Sequence, residues 1–373
     1  DDALKIMTTG RPGPVVLSIP LDVQSAPMPV SPAMRLPSVG IASLDENKVR
    51  ECVGALAGAR RPLILAGGGC GAVGAELRSF AELLWIPVVR TWNALDIAPD
   101  DWTLFAGNVG TYGGKGRNFA AQNADVVLAI GTRISGRITG GDTKSFLRGA
   151  REVWHVDADR GVLEGLDDDV VPRQKINAYA GNFLSACRRV VAGWGLMVQR
   201  GLDVTWLDRV RSWRDVYYPA TPGRIVSACP TCEAVGTSNE RTSARHTAEC
   251  DYKFKYLQTS PSPYAFVREL SRLTPSNAVV VSECGGNAVI FHQVWESKTG
   301  QRIFSSHGGS AMGQGLPLAI GAAIAQPERP VIAVIGDGGF ALAAAELNTM
   351  RVQRERLKNL RVFVLNNAIY GIT

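Results

Sequence analysis

Residues 331–347, VIAVIGDGGFALAAAEL, join an apolar run to a helix-forming run through a glycine-rich turn. The first five residues are β-branched or apolar, which predicts a strand buried on both faces in a parallel sheet. The alanine- and leucine-rich segment after the turn predicts a helix. Gly336, Gly338 and Gly339 permit a sharp turn and a close approach of a ligand to the backbone. A strand–turn–helix unit of this kind restricts the chain to an α/β fold class.

Asp337, inside this turn, is a candidate ligand of a cation. The first N–H groups of a helix favour phosphate, but a carboxylate beside them would repel a phosphate unless a cation lay between the two. A hard oxygen ligand next to a phosphate-binding turn therefore indicates Mg²⁺. The alternative is an ordinary strand-to-helix turn in which Asp337 is the helix N-cap.

A second predicted strand, RVFVLNN at residues 361–367, ends in two asparagines. Ligands of open α/β sheets gather at the carboxyl ends of the strands. Asp337, an asparagine oxygen and a carbonyl just beyond would supply three oxygens on one face of a cation, and phosphate and water would complete its coordination.

Strands and helices alternate elsewhere as well. The helix LDENKVRECVGALAGA precedes the predicted strands PLILAGGGC, IPVVRT, ADVVLAIGTR and EVWHVDAD. This alternation predicts parallel sheets covered by helices. We expect two doubly wound parallel-sheet domains. The predicted divisions are 1–25 (a helix end and one strand), 26–40 (a Pro/Ser-rich linker), 41–195 (a central domain), 196–260 (a linker with an insertion) and 261–373 (a second α/β domain).

Composition excludes some classes of partner. The net charge of +6 is dispersed, without a basic run or aromatic patch, so no nucleic-acid partner is predicted. No apolar run reaches membrane-spanning length, so no membrane partner is predicted. The seven cysteines lie mostly in apolar segments, which indicates reduced thiols and a cytoplasmic protein.

GDG followed after 27 residues by NN resembles the diphosphate-binding signature of the thiamine diphosphate (ThDP) enzymes, in particular the acetolactate synthase and pyruvate decarboxylase group. The spacing is a few residues longer than the commonest version, and the extra length falls in the polar RVQRERLKN, which we place at the surface. The resemblance implies that Asp337 and Asn367 bind Mg²⁺ through their side chains and Ile369 through its carbonyl.

Two further segments carry the resemblance. HGGSAMGQGLPLAIGAAIAQPERP is similar to the stretch in which an apolar residue, here Met312, holds thiamine in its bent conformation; the alternative is that Met312 is a core residue. VVVSECGGNAV resembles the other diphosphate-contacting turn of the family. The implied cofactor-binding residues are Gly286, Asn287, Met312, Gly336, Asp337, Gly338, Gly339 and Asn367.

The resemblance also implies an activity. It predicts a Mg²⁺-dependent ThDP enzyme that decarboxylates a 2-oxo acid and joins the product to an acceptor, as a homodimer or homotetramer. Residues 1–25 resemble the end of the family's pyrimidine-binding domain, so we expect the chain to be an internal fragment that is inactive alone. The family's activating glutamate lies in that domain, so no catalytic acid or base is named here.

The glycine-rich AGGGCGAVGAEL, which includes residues 67–71, leaves other functions open. A glycine-rich turn after a strand is typical of dinucleotide-binding proteins. The alternative functions are therefore an NAD(P)-dependent dehydrogenase and a non-catalytic nucleotide-binding subunit. It lacks a clean G-x-G-x-x-G with a following acid, and packing alone would explain its glycines. Acetolactate synthases hold FAD in this domain, and GTRISGRITG resembles a stretch of that site. Arg133 would then meet a diphosphate, or would satisfy local carbonyls or carboxylates.

The segment CPTCEAVGTSNERTSARHTAEC is the part least similar to the family. Three thiolates and one imidazole could build a tetrahedral Zn²⁺ site. The alternative, which we favour, is an inserted loop without metal. The four candidate ligands are Cys229, Cys232, His246 and Cys250.

Overall fold

The structure is a computed structural model that describes residues 2–8, 11–27, 44–113, 115–165, 173–194, 203, 205–216, 262–305 and 307–367. The strands are β1 (Pro62–Ala66), β2 (Val88–Arg90), β3 (Phe105–Asn108), β4 (Val126–Ile130), β5 (Glu152–Asp157), β6 (Arg173–Asn177), β7 (Val279–Ser282), β8 (Arg302–Ser305), β9 (Val331–Gly336) and β10 (Leu360–Leu365). The helices are α1 (Asp2–Thr8), α2 (Leu21–Ser25), α3 (Glu46–Ala57), α4 (Gly74–Leu84), α5 (Lys115–Asn123), α6 (Gly136–Thr139), α7 (Arg160–Glu164), α8 (Ala180–Gly193), α9 (Trp206–Val216), α10 (Pro263–Leu273), α11 (Gly286–Val294), α12 (Gly315–Ala325), α13 (Asp337–Leu342) and α14 (Glu346–Val352). Short 3₁₀ helices lie at Gly68–Cys70, Trp92–Ala94 and Arg354–Arg356.

Two parallel sheets confirm the predicted fold class. The six-stranded sheet has the order β3-β2-β1-β4-β5-β6, and the four-stranded sheet has the order β10-β9-β7-β8. The chain divides into two compact units, Asp1–Val88 with Ala121–Trp206, and Val89–Ala120 with Leu207–Thr373. Within the described residues, no helix is long and apolar enough to cross a membrane.

In the first unit, continuous apolar runs form the buried strands. β1 and β4 are buried along their whole length and pair in parallel, from Pro62 opposite Val126 to Ala66 opposite Ile130. Asp45 caps α3, because its side chain accepts hydrogen bonds from the first N–H groups of the helix. The apolar stripe of α3 then packs against α8.

In the second unit, the alternation of side chains along β7 and β9 builds two cores, one on each face of the four-stranded sheet. α12 covers the first face and α10 and α11 cover the second. The first core contains Val279, Val281, Leu316, Ala319, Ile320, Ala323, Val331, Ala333, Ile335, Ala343, Leu357 and Leu360. The second contains Leu95, Val267, Ala278, Val280, Phe291, Val294, Trp295, Ile303, Ile332 and Val334.

One predicted strand is wrong. Residues 12–20 have no regular structure, α2 follows them, and Val16 is 92% exposed. Isolated strand backbone leaves its N–H and C=O groups unpaired, and no neighbouring strand pairs with this segment in the described part of the chain. An apolar, β-branched sequence is therefore not enough to make a strand here.

Candidate functional site

The carboxyl ends of three neighbouring strands, β7, β9 and β10, meet at one edge of the four-stranded sheet. The register places Ser282 of β7 opposite Val334, and Leu365 of β10 opposite Gly336. The residues that follow these strands, among them Asp337, therefore emerge side by side. The parallel pairing thus brings these strand ends together at one edge of the sheet, as the sequence predicted.

This edge is also a topological switch point. α11, which follows β7, contributes Phe291 and Val294 to the core on one face of the sheet. α13 follows β9, and its Phe340 packs with the core on the opposite face. Ligands of open α/β sheets bind in the crevice where consecutive helices leave on opposite faces. The two glycine-containing turns of the candidate site lie on either side of this crevice.

Asp337 and Asn367 lie at the ends of paired strands. Asp337 is half-buried and is the first residue of α13, whose N-cap is Gly336, so the interpretation of Asp337 as the N-cap is wrong. Asn366 and Asn367 are exposed just beyond β10. A carboxylate and amide oxygens are the hard ligands that Mg²⁺ prefers. Ile369, the third predicted ligand, lies outside the described residues.

The turn after β7 is built around Asn287. Gly285 has φ +89°, a left-handed conformation that favours glycine, and Gly286 begins α11. The buried Asn287 amide donates to the carbonyl oxygens of Glu283 (3.3 Å) and Val334 (3.1 Å). Its Oδ1 lies 3.2 Å from the position that a Cβ on Gly336 would occupy. The side chain thus ties this turn to β9, and its N–H groups are committed to protein carbonyls.

Met312 lies in the segment between β8 and α12 and is not a core residue. Its side chain is 42% exposed, and neither core of the sheet includes it. Two flanking residues, Ser310 (φ +50°) and Gly313 (φ +85°), have left-handed backbone conformations, so the segment is tightly folded. Met312 is therefore accessible to a ligand at this edge.

Glu283, which follows β7, was not among the predicted site residues. Its side chain is 1% exposed, and its Oε1 accepts hydrogen bonds from the backbone N–H groups of Gly313 and Gly315. The buried Oε2 has no hydrogen-bond partner among the described residues. Burial raises the pKa of the carboxyl, and the N–H donors partly oppose this effect. No pattern in the sequence indicates this residue, because its partners lie 30 and 32 residues further along the chain.

An aromatic cluster at residues 92, 112, 292 and 307 was also not predicted. The Trp92 indole stacks on the His292 imidazole, with ring centroids 4.7 Å apart and planes 16° apart. His307 and Tyr112 meet the same indole edge-on, at centroid distances of 4.4 Å and 5.2 Å. Because His307 follows shortly after β8, the cluster lies at the carboxyl end of that strand.

The glycine-rich turn of the first unit serves packing. A Cβ on Gly67 would overlap with the carbonyl oxygen of Gly131, and a Cβ on Gly69 would lie 2.8 Å from the Gly131 Cα. The ends of β1 and β4 therefore approach so closely that only glycine fits. Arg133, the candidate for a flavin diphosphate, follows Gly131 closely and is exposed.

The predicted zinc ligands Cys229, Cys232, His246 and Cys250 lie outside the described residues. Within the described ranges, no group of three or more His, Cys, Asp or Glu residues could hold a metal ion.

Comparison with known proteins gives consistent matches. Residues 49–186 match the family described as "Thiamine pyrophosphate enzyme, central domain", and residues 283–373 match "Thiamine pyrophosphate enzyme, C-terminal TPP binding domain". Acetolactate synthase 1, chloroplastic, of Oryza sativa subsp. japonica is 31% identical over the whole chain, which corresponds to 52% of the rice protein. The probable acetolactate synthase large subunit of Methanocaldococcus jannaschii is 28% identical over 93% of the chain and 54% of its own length. The Escherichia coli acetolactate synthase isozyme 1 large subunit is 27% identical over the whole chain and 58% of its own length. The chain thus spans about half the length of these relatives.

Proposed function

Because the chain belongs to the thiamine pyrophosphate enzymes, we propose that it binds ThDP through Mg²⁺ and takes part in an acetolactate synthase-like reaction on a 2-oxo acid. The observation that carries the proposal is the register of β9 and β10, which brings Asp337 and Asn367 to adjacent strand ends. The names of the relatives support the substrate class.

The residues at this edge fit such a cofactor. Asp337 and Asn367 supply hard oxygens, and the Ile369 carbonyl would add a third. Gly336 leaves room for the buried Asn287 amide, because a Cβ at this position would lie 3.2 Å from Asn287 Oδ1, and so the turns after β7 and β9 lie close together. The donor set suits a diphosphate held through a metal ion.

Each residue has a role in this proposal. Asp337 and Asn367 hold Mg²⁺, and Mg²⁺ offsets the repulsion between the Asp337 carboxylate and the diphosphate. The backbone N–H groups of Gly286, Gly338 and Gly339 contact the diphosphate. Asn287 holds its turn against β9, since its amide is engaged there. Met312 packs against thiamine through its exposed thioether.

When bound, ThDP supplies the electron sink for decarboxylation of the 2-oxo acid and transfer of the remaining fragment. The contribution of this chain is to bind and orient the cofactor. No residue of the chain is assigned as its catalytic acid or base.

Three further features belong to the same proposal. The domains are a central one at 41–195, which follows segments 1–25 and 26–40, and a diphosphate-binding one at 261–373, which follows segment 196–260.

The protein forms a homodimer or homotetramer, and exposed apolar side chains of the second unit, Leu342 and Val352 among them, support an interface. The buried Cys52, Cys70 and Cys187 are free thiols, which supports a cytoplasmic location.

FAD remains a candidate second cofactor, with Arg133 as its contact. A bound flavin would give an absorption band in the visible spectrum of the purified protein, and Arg133→Ala would then weaken its retention. The dehydrogenase and nucleotide-binding alternatives lose their main argument, because packing against Gly131 accounts for the glycines at positions 67 and 69.

The test is a comparison of ligands by calorimetry. ThDP should bind in the presence of Mg²⁺ and lose affinity when the metal is chelated, whereas NAD⁺ and ATP should not bind. A bound ligand at 100 times its Kd would also stabilise the fold by about 2.7 kcal/mol. Binding of NAD⁺ without ThDP binding would contradict the proposal.

A further inference from the structure

We propose that Glu283 is a positioning residue of the cofactor site: its buried carboxyl clamps the segment 307–314, which carries Met312, to the strand ends that carry the metal ligands. The inference rests on the proposed function, because it concerns how two parts of one ThDP site are held at a fixed distance from each other.

The first observation is the hydrogen bonding of Oε1. It accepts from the backbone N–H groups of Gly313 and Gly315 (3.4 Å for the latter), which flank the N-cap of α12. The backbone N–H of Glu283 itself donates to the carbonyl of Val334 in β9 (3.1 Å). One residue thus bonds β9 through its main chain and the Met312 segment through its side chain.

The second observation is the space around the carboxyl. A Cβ on Gly315 would lie 2.9 Å from the Glu283 Cβ, and a Cβ on Gly339 would overlap with the carboxyl oxygens. Gly339 is two residues beyond Asp337. The carboxyl is therefore packed between the start of α12 and the first turn of α13, at positions where only glycine leaves room.

The third observation is the buried Oε2, which has no hydrogen-bond partner within the described ranges. Buried polar atoms are nearly always paired, and an apolar side chain would fill this space without leaving an oxygen unpaired. An apolar side chain could not accept two N–H bonds from the segment after Met312. Fixing that segment is the property that distinguishes a carboxyl at this position.

The hydrogen bonds of Glu283 matter because the two proposed parts of the cofactor site, the metal ligands and Met312, come from different parts of the chain. The metal ligands follow β9 and β10, whereas Met312 precedes α12. A cofactor held at both ends needs these elements at a fixed separation, since binding sites lose affinity when supporting residues allow shifts of about 1 Å. Glu283 contacts both elements and requires no contact with the cofactor.

The experiment compares the protein with Glu283→Ala, Glu283→Gln and Glu283→Asp. Amide hydrogen exchange reports the clamp directly at Gly313 and Gly315, and calorimetry measures the affinity for Mg²⁺–ThDP and for Mg²⁺–pyrophosphate. Glu283→Ala should speed exchange at both glycines and weaken ThDP binding by about tenfold each, the size expected for losing hydrogen bonds to a carboxyl. Pyrophosphate would bind only to the metal and the diphosphate-binding residues and would not contact Met312, so its affinity should fall less than that of ThDP. Glu283→Gln retains an acceptor oxygen and should behave as the unchanged protein.

Each result decides the question. Unchanged exchange and ThDP affinity in Glu283→Ala, or Glu283→Gln as impaired as Glu283→Ala, would overturn the proposal. Equal losses for ThDP and pyrophosphate would show a general structural role and also overturn it. If Glu283→Ala does not fold, Glu283→Asp decides, because its side chain is one methylene shorter: loss of protection at Gly313 supports the clamp and full protection overturns it. Absence of ThDP binding by the unchanged protein would instead refute the proposed function, and this inference with it.

Discussion

At the scale of single residues, the position of Asp337 allows its proposed role in binding to be separated from folding. It is half-buried at the first position of α13, outside both cores of the sheet. We expect Asp337→Ala to weaken Mg²⁺-dependent ThDP binding by about 100-fold and to lower the free energy of unfolding by about 1 kcal/mol or less. Calorimetry and denaturant unfolding measure the two quantities.

Glu355→Ala is the matched control, because it removes an exposed carboxylate that pairs with the exposed Arg354 and Lys358 of the same unit. Its ThDP affinity should be unchanged. Equal affinity in Asp337→Ala and the unchanged protein would remove Asp337 from the metal site.

Glu283 also predicts a pH dependence of stability. Burial raises the pKa of its carboxyl above the unfolded value, so the folded state binds the proton more tightly. The free energy of unfolding therefore falls as pH rises from the unfolded pKa through the folded pKa, and the loss is complete above the latter. Glu283→Gln cannot titrate and lacks this contribution.

The stability of the unchanged protein minus that of Glu283→Gln should accordingly decrease as pH rises above the ordinary glutamate pKa of 4.5, with each unit of pKa difference corresponding to about 1.4 kcal/mol. Denaturant unfolding of both proteins over a pH series checks this sign. An increase over the same range would show that the folded protein lowers the pKa of this carboxyl.

At the scale of elements, two glycines show how differently the same substitution acts. A methyl group at Gly67 would overlap with the Gly131 carbonyl where β1 and β4 end, whereas a Cβ on Gly321, inside α12, meets nothing within 4 Å. Gly67→Ala should lower the free energy of unfolding by about 1–3 kcal/mol, as overpacking does. Gly321→Ala should raise it by about 0.5–1 kcal/mol, because alanine loses less backbone entropy in a helix.

Thermal and denaturant unfolding of the two variants give these values. A stable Gly67→Ala protein would mean that the ends of β1 and β4 can separate, and would reopen a ligand-binding interpretation of this turn.

Which strands could be predicted depended on whether their sequences carry an apolar run, as β10 does with RVFVL although it is an edge strand. β1, β4, β7 and β9 are central and buried, so their apolar runs identified them. β3 and β6 are the edges of the six-stranded sheet, and their sequences, FAGN and RQKIN, carry no apolar run. The helix predicted after the GDGG turn is divided into α13 and α14, because residues 343–345 form a turn between them.

At the scale of the whole molecule, the candidate site divides into a predictable and an unpredictable part. Asp337 and an asparagine after β10 could be proposed because residues at the ends of strands reach one sheet edge in any parallel fold, and the resemblance to the ThDP enzymes implied Asn367 in particular. Glu283 could not, because its partner Gly313 lies 30 residues away and a single sequence shows no pairing between them.

Metal analysis of the whole protein tests the remaining sequence hypothesis. We expect no stoichiometric zinc after washing with a chelator, since the segment with Cys229, Cys232, His246 and Cys250 is interpreted as an inserted loop. Inductively coupled plasma mass spectrometry measures the content. About one zinc ion per chain, lost together with three thiols becoming reactive, would establish a closed structural site instead.

The parallel pairing of β9 and β10 keeps the ends of these strands close in space whatever the number of residues that connect them in the sequence. The segment RVQRERLKN begins in the last two residues of α14 and continues through a 3₁₀ helix and turns that enter β10 at its amino end, opposite to the edge where Asp337 and Asn367 emerge. Insertions or deletions there can accumulate during evolution without moving Asp337 or Asn367, because the hydrogen-bonded register fixes the positions of both strand ends. Searches for distant members of such families should therefore allow a variable gap between GDG and NN.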